Sequence, residues 1–140
     1  MSRTIKFRGK RFDNGEWVYG NLIIDDSGNC EIVDYENNHE IRYDIRGETI
    51  GQYTGMNDRN GKEIYEGDII NWLSFTYGGN GFVEEGRVEW RQVEGCYVVV
   101  NRIETKDGRE SIQLLIRCTR DLKVVGNIHD DHELLEGGKQ

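Results

Sequence analysis

The sequence contains no proline. No backbone donor is removed and no φ is locked by a ring, so turns must be read from other residues. Cysteine is scarce: Cys30, Cys96 and Cys118 are odd in number, far apart and outside any CxxC pair. This pattern argues against a disulfide framework or a zinc ribbon and for reduced thiols in a cytosol. No apolar run approaches the ~20 residues of a membrane span. The opening Met-Ser-Arg-Thr-Ile-Lys lacks the apolar core of a signal peptide. The expectation is a cytoplasmic protein that stays in the cell that makes it and needs no cofactor.

Positive charge is also in short supply. Lys and Arg number 18 against 26 Asp and Glu, a net charge of -8. An acidic surface repels nucleic-acid phosphates, which handicaps any DNA- or RNA-binding role. The imbalance is uneven. The first twenty residues carry Arg3, Lys6, Arg8, Lys10 and Arg11 against only Asp13 and Glu16. Lys6, Arg8, Lys10 and Arg11 are therefore the candidate phosphate contacts. The competing reading is that this basic stretch pairs with the acidic body.

Glycine is plentiful, at 18, and lies singly or in pairs between apolar runs, as many tight turns require. Ile5-Lys6-Phe7-Arg8 alternates apolar and basic residues, the period of a strand with one buried face. Asn14-Gly15 and Asn60-Gly61 predict type I′ hairpin turns, and Asp107-Gly108 a third hairpin. Trp17 to Ile24, Cys30 to Tyr35, Ile41 to Ile45, Ile69 to Leu73, Gly86 to Trp90, Cys96 to Val100 and Leu122 to Ile128 read as strands. Glu36 to Glu40 reads as a loop and Tyr77 to Gly81 as a mobile one. Ser111 to Ile116 fits either a strand or a short helix. Asp130 with Glu133 fits a capped helical turn ahead of Leu134 and Leu135.

These signals define a mainly β chain. Residues 1–56 form an antiparallel meander lobe. Residues 57–136 form a small β-barrel-like lobe closed by Val124 to Ile128, with a short C-terminal helical turn. Residues 137–140 are a frayed tail. One continuous domain is the alternative.

Two longer blocks stand out. One runs from Gly51-Gln52-Tyr53-Thr54-Gly55-Met56 through Asp58-Arg59-Asn60-Gly61-Lys62-Glu63 to Ile64-Tyr65-Glu66-Gly67-Asp68-Ile69. The other is Val124-Val125-Gly126-Asn127-Ile128-His129, followed by Glu133-Leu134-Leu135. With Ile5 to Arg8 and Gly86 to Trp90, they make the chain similar to the YopX family over nearly its whole length. That resemblance implies a phage or prophage setting and no particular reaction. Within the long block, Tyr53, Thr54, Asp58, Asn60, Tyr65, Glu66 and Asp68 form a candidate binding surface. The structural alternative is a folding element, with Asp68 bonding nearby amides and Tyr53, Ile64, Tyr65 and Ile69 clamping a hairpin to the core.

Motifs that carry chemistry are few. An EF-hand register on Gly61 places Met56 first and Gly67 twelfth, and neither supplies a carboxylate. His129-Asp130-Asp131-His132 groups four metal-capable side chains but reads better as a solvated acidic turn. Glu84, Glu85 and Glu89 are candidate paired carboxylates for acid–base work beside Tyr77 to Gly81, but among 26 acidic residues they read better as a solvated face. Gly78 to Gly81 lacks the Lys-Ser/Thr of a P-loop. No serine sits in a nucleophile elbow, and Cys96 reads as a core residue. Trp17, Tyr19, Trp72, Trp90 and Tyr97 offer stacking surface beside Arg87, Arg91 and Arg102, yet their alternation places most of them in the core.

The resulting expectation is a phage or prophage accessory protein acting as a non-enzymatic protein-interaction module. Its partner is a host or phage protein, and self-association into a homo-oligomer is a further option. A small β-barrel nucleic-acid binder is the alternative. An enzyme assembled from scattered acids and His129 or His132 is a third reading.

Overall fold

The computed structural model describes residues 3–102 and 106–131. The expected C-terminal helical turn from Glu133 onward, His132 and the frayed tail lie outside them. The described chain is built from β-strands with two short 3-10 turns and no α-helix. It divides into two compact units, Met1–Gly55 and Met56–Gln140.

The first unit contains β1 (Phe7–Lys10), β2 (Trp17–Ile24), β3 (Cys30–Glu36), β4 (His39–Ile45) and the start of β5 (Gly51–Asn57). All neighbours are antiparallel, in the order β4-β3-β2-β1-β5. The sheet curls until the end of β4 meets the end of β1. Ile45 bridges to Arg11, Phe12 N–H donates to the Asp44 carbonyl at 2.8 Å and Arg46 N–H donates to the Lys10 carbonyl at 2.9 Å. Close approach of these strands requires Gly9, where a Cβ would stand 2.5 Å from Ile45 Cδ1. Ile32, Val33, Ile45 and Tyr53 are buried in this unit.

The segment expected as a loop, Glu36 to Glu40, is instead the tightest hairpin in the unit. Glu36 pairs directly with His39, leaving Asn37 and Asn38 as the whole connection. Both have positive φ, 52° and 65°, the geometry of a type I′ turn. Asparagine tolerates that left-handed region better than other side chains do. The Asn-Gly pairs do something different. Only Gly15 and Gly61 are left-handed, not Asn14 or Asn60. Their loops are longer: Asp58 N–H donates to the Lys62 carbonyl and Gly61 N–H to the Asp58 carbonyl, a type I turn closed by one left-handed glycine.

The second unit begins with the end of β5, which turns through Asp58–Lys62 into β6 (Glu63–Tyr65). Its main sheet follows: β7 (Asp68–Phe75), β8 (Gly81–Arg91), β9 (Cys96–Asn101), β10 (Ile112–Leu114) and β11 (Lys123–Asn127). The order is β10-β9-β8-β7-β11, antiparallel throughout. Strand β11 joins the outer side of β7, with a bulge between Val124 and Gly126. Ser111 to Ile116 resolves into both of its options: β10 is followed at once by a 3-10 turn, Leu115–Arg117. The core comprises Ile64, Ile70, Trp72, Val88, Val99, Leu115, Cys118 and Leu122. Gly86 lets β8 and β9 close over it, since a Cβ there would meet the Val100 carbonyl oxygen at 2.4 Å.

Trp72 is buried, as its alternation predicts, but Trp90 and Tyr19 are nearly half exposed. Trp90 lies beyond the apolar part of its sheet face, near the end of β8, and stacks edge-on against Tyr97 with centroids 5.1 Å apart. Cys96, expected in the core, is only partly buried; the core thiol is Cys118.

Candidate functional site

The long block around Asp58 is a set of carboxylates turned inward on the backbone. Asp58 is 8% exposed. Its Oδ1 accepts from the amides of Asn60 (2.8 Å) and Lys62 (2.9 Å), and its Oδ2 accepts from the amide of Val124 at 3.1 Å. Burial pushes the Asp58 carboxyl up, but the amides of Val124, Lys62 and Asn60 outweigh it and hold it below the usual carboxylate range. Asp68 is buried and accepts from the Tyr65 amide at 2.8 Å. Tyr65 is buried too, its hydroxyl 3.0 Å from Glu63 Oε1. Tyr53 is buried in the first unit, Thr54 and Glu66 are half-buried, and Asn60 is exposed. The two carboxylates face the fold's own amides, and few of the block's side chains offer a free surface.

The basic N-terminal residues are stacked on aromatic rings. The Arg8 guanidinium lies 4.5 Å from the Trp17 ring centre, and Lys10 Nζ lies 5.5 Å from the same ring. Lys6 Nζ is 6.0 Å from the Tyr53 ring, and Arg11 sits over Tyr43 at 5.0 Å while pairing with Asp13 at 2.7 Å. Arg8 is only 5% exposed, so its side chain is a packing element. A cavity of about 860 Å³ in this unit is lined by Arg11, Arg42, Tyr43, Asp25, Asp44 and Cys30 among others. Its guanidiniums are already ion-paired, Arg42 with Glu31 and Glu40.

Sequence reasoning missed a polar cluster on the core-side face of the second sheet. Glu84 accepts from the Ser74 hydroxyl, from Asn101 Nδ2 at 3.1 Å and from Gln113 Nε2 at 3.3 Å. Four strands, β7 to β10, each contribute one member. The signal was present only as positions two residues apart from the core positions Trp72 and Val99. Glu85 follows Glu84 in a strand and so points to the opposite face, with Glu89 on that same far side. The carboxylates offered as a catalytic pair therefore do not converge. Cys118, buried nearby, has its thiol pushed up to about 12, first by burial and then by the charge of Glu84. It is not a nucleophile at neutral pH.

The acidic turn after β11 is also self-satisfied. Asn127 Oδ1 accepts from the amides of His129 and Asp130, while the Asn127 amide N–H donates to Asp131 Oδ2. Asn127 caps this turn, and the helical turn expected after Asp130 lies outside the described residues. Among the described residues no group of three or more His, Cys, Asp or Glu side chains is placed to hold a metal ion.

Exposed apolar surface concentrates elsewhere. The β7–β8 hairpin carries Phe75 (47% exposed), Tyr77 (fully exposed), Phe82 (44%) and Val83 (67%). Its tip is a tight turn, with Thr76 N–H donating to the Asn80 carbonyl and Gly79 N–H to the Thr76 carbonyl. This turn occupies residues 77–80 of the segment expected as a mobile loop, and Gly81 already opens β8.

Fold and side chains together define an all-β, two-unit protein whose inward-facing carboxylates serve its own backbone and side chains. Its sequence matches the YopX protein family model over residues 6–136, and the chain belongs to that family. No curated protein matches it. Among solved structures it is similar to the crystal structure of protein EF1440 from Enterococcus faecalis, at 24% identity and a TM-score of 0.51. That match covers 96% of this chain and 100% of the other. The likeness is one of fold.

Proposed function

We propose that this YopX-family chain is a non-enzymatic protein-interaction module, an accessory protein of a phage or prophage, that engages its partner through the β7–β8 hairpin. The observation that carries the reading is the hairpin's composition and exposure. From Leu73 to Val83 the sequence has no charged residue, in a chain that is 31% charged. Four large apolar side chains of this stretch face solvent. Directly paired residues share a face, so Phe75 and Val83 look one way and Phe82 the other, with Tyr77 at the tip. An exposed apolar arm of this kind marks an interaction site. The stretch itself carries no charge, which fits an apolar cleft on a partner protein; the Arg120 guanidinium that lies 5.0 Å from the Phe75 ring centre comes from outside it.

The test is site-specific photo-crosslinking in the cells that naturally produce the protein. A photoreactive residue at Tyr77 is expected to capture a protein, and the adduct is expected to disappear in a Phe75→Ser/Phe82→Ser background. The same probe at Glu94, on the exposed β8–β9 turn, is expected to capture nothing. Absence of an adduct at Tyr77, equal adducts at both positions, or an adduct to nucleic acid overturns the reading.

A further inference from the structure

The face of the second sheet opposite Trp72, Val88 and Val99 carries a closed ring of four charges beside the buried Val98 and Val100. Arg87 and Arg91 both reach Glu110: Arg87 Nη2 stands 3.1 Å from Oε1 and Arg91 Nη2 3.0 Å from Oε2. Glu89, between them on β8, bonds both guanidiniums in turn, at 3.3 Å from Arg87 and closer still to Arg91. Strand alternation puts Arg87, Glu89 and Arg91 on one face, directly opposite Val100, Val98 and Cys96 of β9. Ile112 and Leu114 of β10 share that face through their pairing with Val100 and Val98. Glu110 precedes β10 by two residues, so its carboxylate crosses β9 to reach β8.

Glu89 and Glu110 play different parts. Glu89 is fixed between its arginines by the strand itself. Glu110 lies in irregular backbone outside any strand, and its side chain is 47% exposed. Exposed ion pairs of this kind are weak and exchange readily with solvent or with another anion. The two guanidiniums hold the Glu110 carboxyl below the usual range, Arg91 contributing most and Arg87 next. Beside the ring, Ile112 and Leu114 are each 37% exposed.

We propose that Arg87 and Arg91 form a carboxylate-binding site for an acidic side chain of a partner protein, and that Glu110 is a resident surrogate which the partner displaces. The site is seen holding the chemistry assigned to it, one oxygen on each guanidinium. Displaced Glu110 turns to solvent but stays tethered, so the incoming carboxylate adds one negative charge to a chain of net charge -8, and low ionic strength favours the resident over the competitor. The exposed Ile112 and Leu114 add the apolar contact that favours a carboxylate flanked by aliphatic residues over a bare anion. This site extends the protein-binding reading but is independent of the hairpin, and its test uses a different readout.

Backbone amide shifts are followed by NMR at low ionic strength while an acetylated, amidated Leu-Glu-Leu tripeptide is added. The Glu110→Gln variant is expected to bind it at least tenfold more tightly than the wild type, with shifts centred on Arg87, Arg91, Val98 and Val100. The Leu-Gln-Leu counterpart is expected to cause no shifts. Adding Arg87→Gln and Arg91→Gln to the Glu110→Gln chain is expected to abolish binding. Glu110→Ser serves as a second release variant, and unchanged circular dichroism is required of each. The proposal is overturned if neither release variant binds more tightly than the wild type, or if binding survives loss of both arginines. Tighter binding of inorganic phosphate than of Leu-Glu-Leu overturns the assignment to a carboxylate.

Discussion

The Asp58 carboxylate accepts the amide N–H of Val124 at 3.1 Å, although the two residues are 66 positions apart. The same side chain closes its own turn through Asn60 and Lys62. It thereby ties the β5–β6 turn to the start of the last strand. Beside it, Arg59 N–H donates to the Leu122 carbonyl at 2.8 Å, and the Arg59 side chain pairs with Asp121. Asp58→Ala leaves three amides without their acceptor. Hydrogen bonds to charged groups contribute roughly 1.5–3 kcal/mol each, and their losses at one site do not add fully. The expected cost is about 3 kcal/mol, read from the urea midpoint. Asp58→Asn keeps one oxygen but turns an NH₂ toward the second partner, with an expected cost of about 1–2 kcal/mol. A loss below about 0.5 kcal/mol for Asp58→Ala contradicts this role.

The same carboxylate sets a pH dependence. Its folded-state pKa is held below the unfolded value by its three amide donors, against the opposing effect of burial. A depressed carboxyl contributes stability that is present above the unfolded pKa, about 3.9, and is lost as pH falls through the folded one. The stability gap between wild type and Asp58→Asn is therefore expected to be flat from about pH 5 to 7 and to narrow below about pH 4. Urea denaturation across that range measures it. A gap that widens on acidification has the wrong sign for this account.

Asn37 and Asn38 make the two-residue turn between β3 and β4, with φ of 52° and 65°. Glycine meets no Cβ penalty in that region, and the turn is exposed. Asn38→Gly is expected to be neutral or stabilising by up to about 0.5–1 kcal/mol, because relief of strain competes with added freedom in the unfolded chain. Asn38→Val is expected to destabilise by at least about 1 kcal/mol, since a β-branched side chain resists left-handed geometry. Thermal melts of both variants check the pair. Equal melting temperatures remove the turn assignment.

What the sequence disclosed follows from the range of each signal. Period-two alternation is local, so most strands were legible, as was the burial of Trp72. Turn type depends on loop length as well as residue identity. Asn60-Gly61 therefore marks the right place but not the turn geometry, while Asn37-Asn38, lacking glycine, carries no hairpin signal in sequence. The end of a core is set by the neighbouring strands, so alternation alone does not separate the half-exposed Trp90 from the buried Trp72, nor Cys96 from the core. The Asp58–Val124 bond, the Glu84 cluster and the Arg87–Glu110–Arg91 ring join residues 66, 10 to 29, and 19 to 23 positions apart. Such convergence is fixed by strand order, which no single segment encodes.

Strand order also separates the three thiols by reactivity. Cys118 is fully buried, its Sγ 3.5 Å from the Leu114 carbonyl oxygen, and its pKa is pushed up to about 12, burial being the larger cause and Glu84 the smaller. Cys30 and Cys96 are partly exposed. A thiol reacts as its thiolate, so at mildly alkaline pH Cys118 is shielded twice, by access and by protonation. Titration of the native protein with an aromatic disulfide reagent is expected to count two thiols, and a third only on unfolding in urea. Because burial dominates, Glu84→Gln is expected to leave Cys118 silent in the native count even though it removes the nearby charge. Three thiols titrating in the folded wild type would show that Cys118 is not part of a closed core, and three in Glu84→Gln alone would make Glu84's hydrogen bonds the seal on that core.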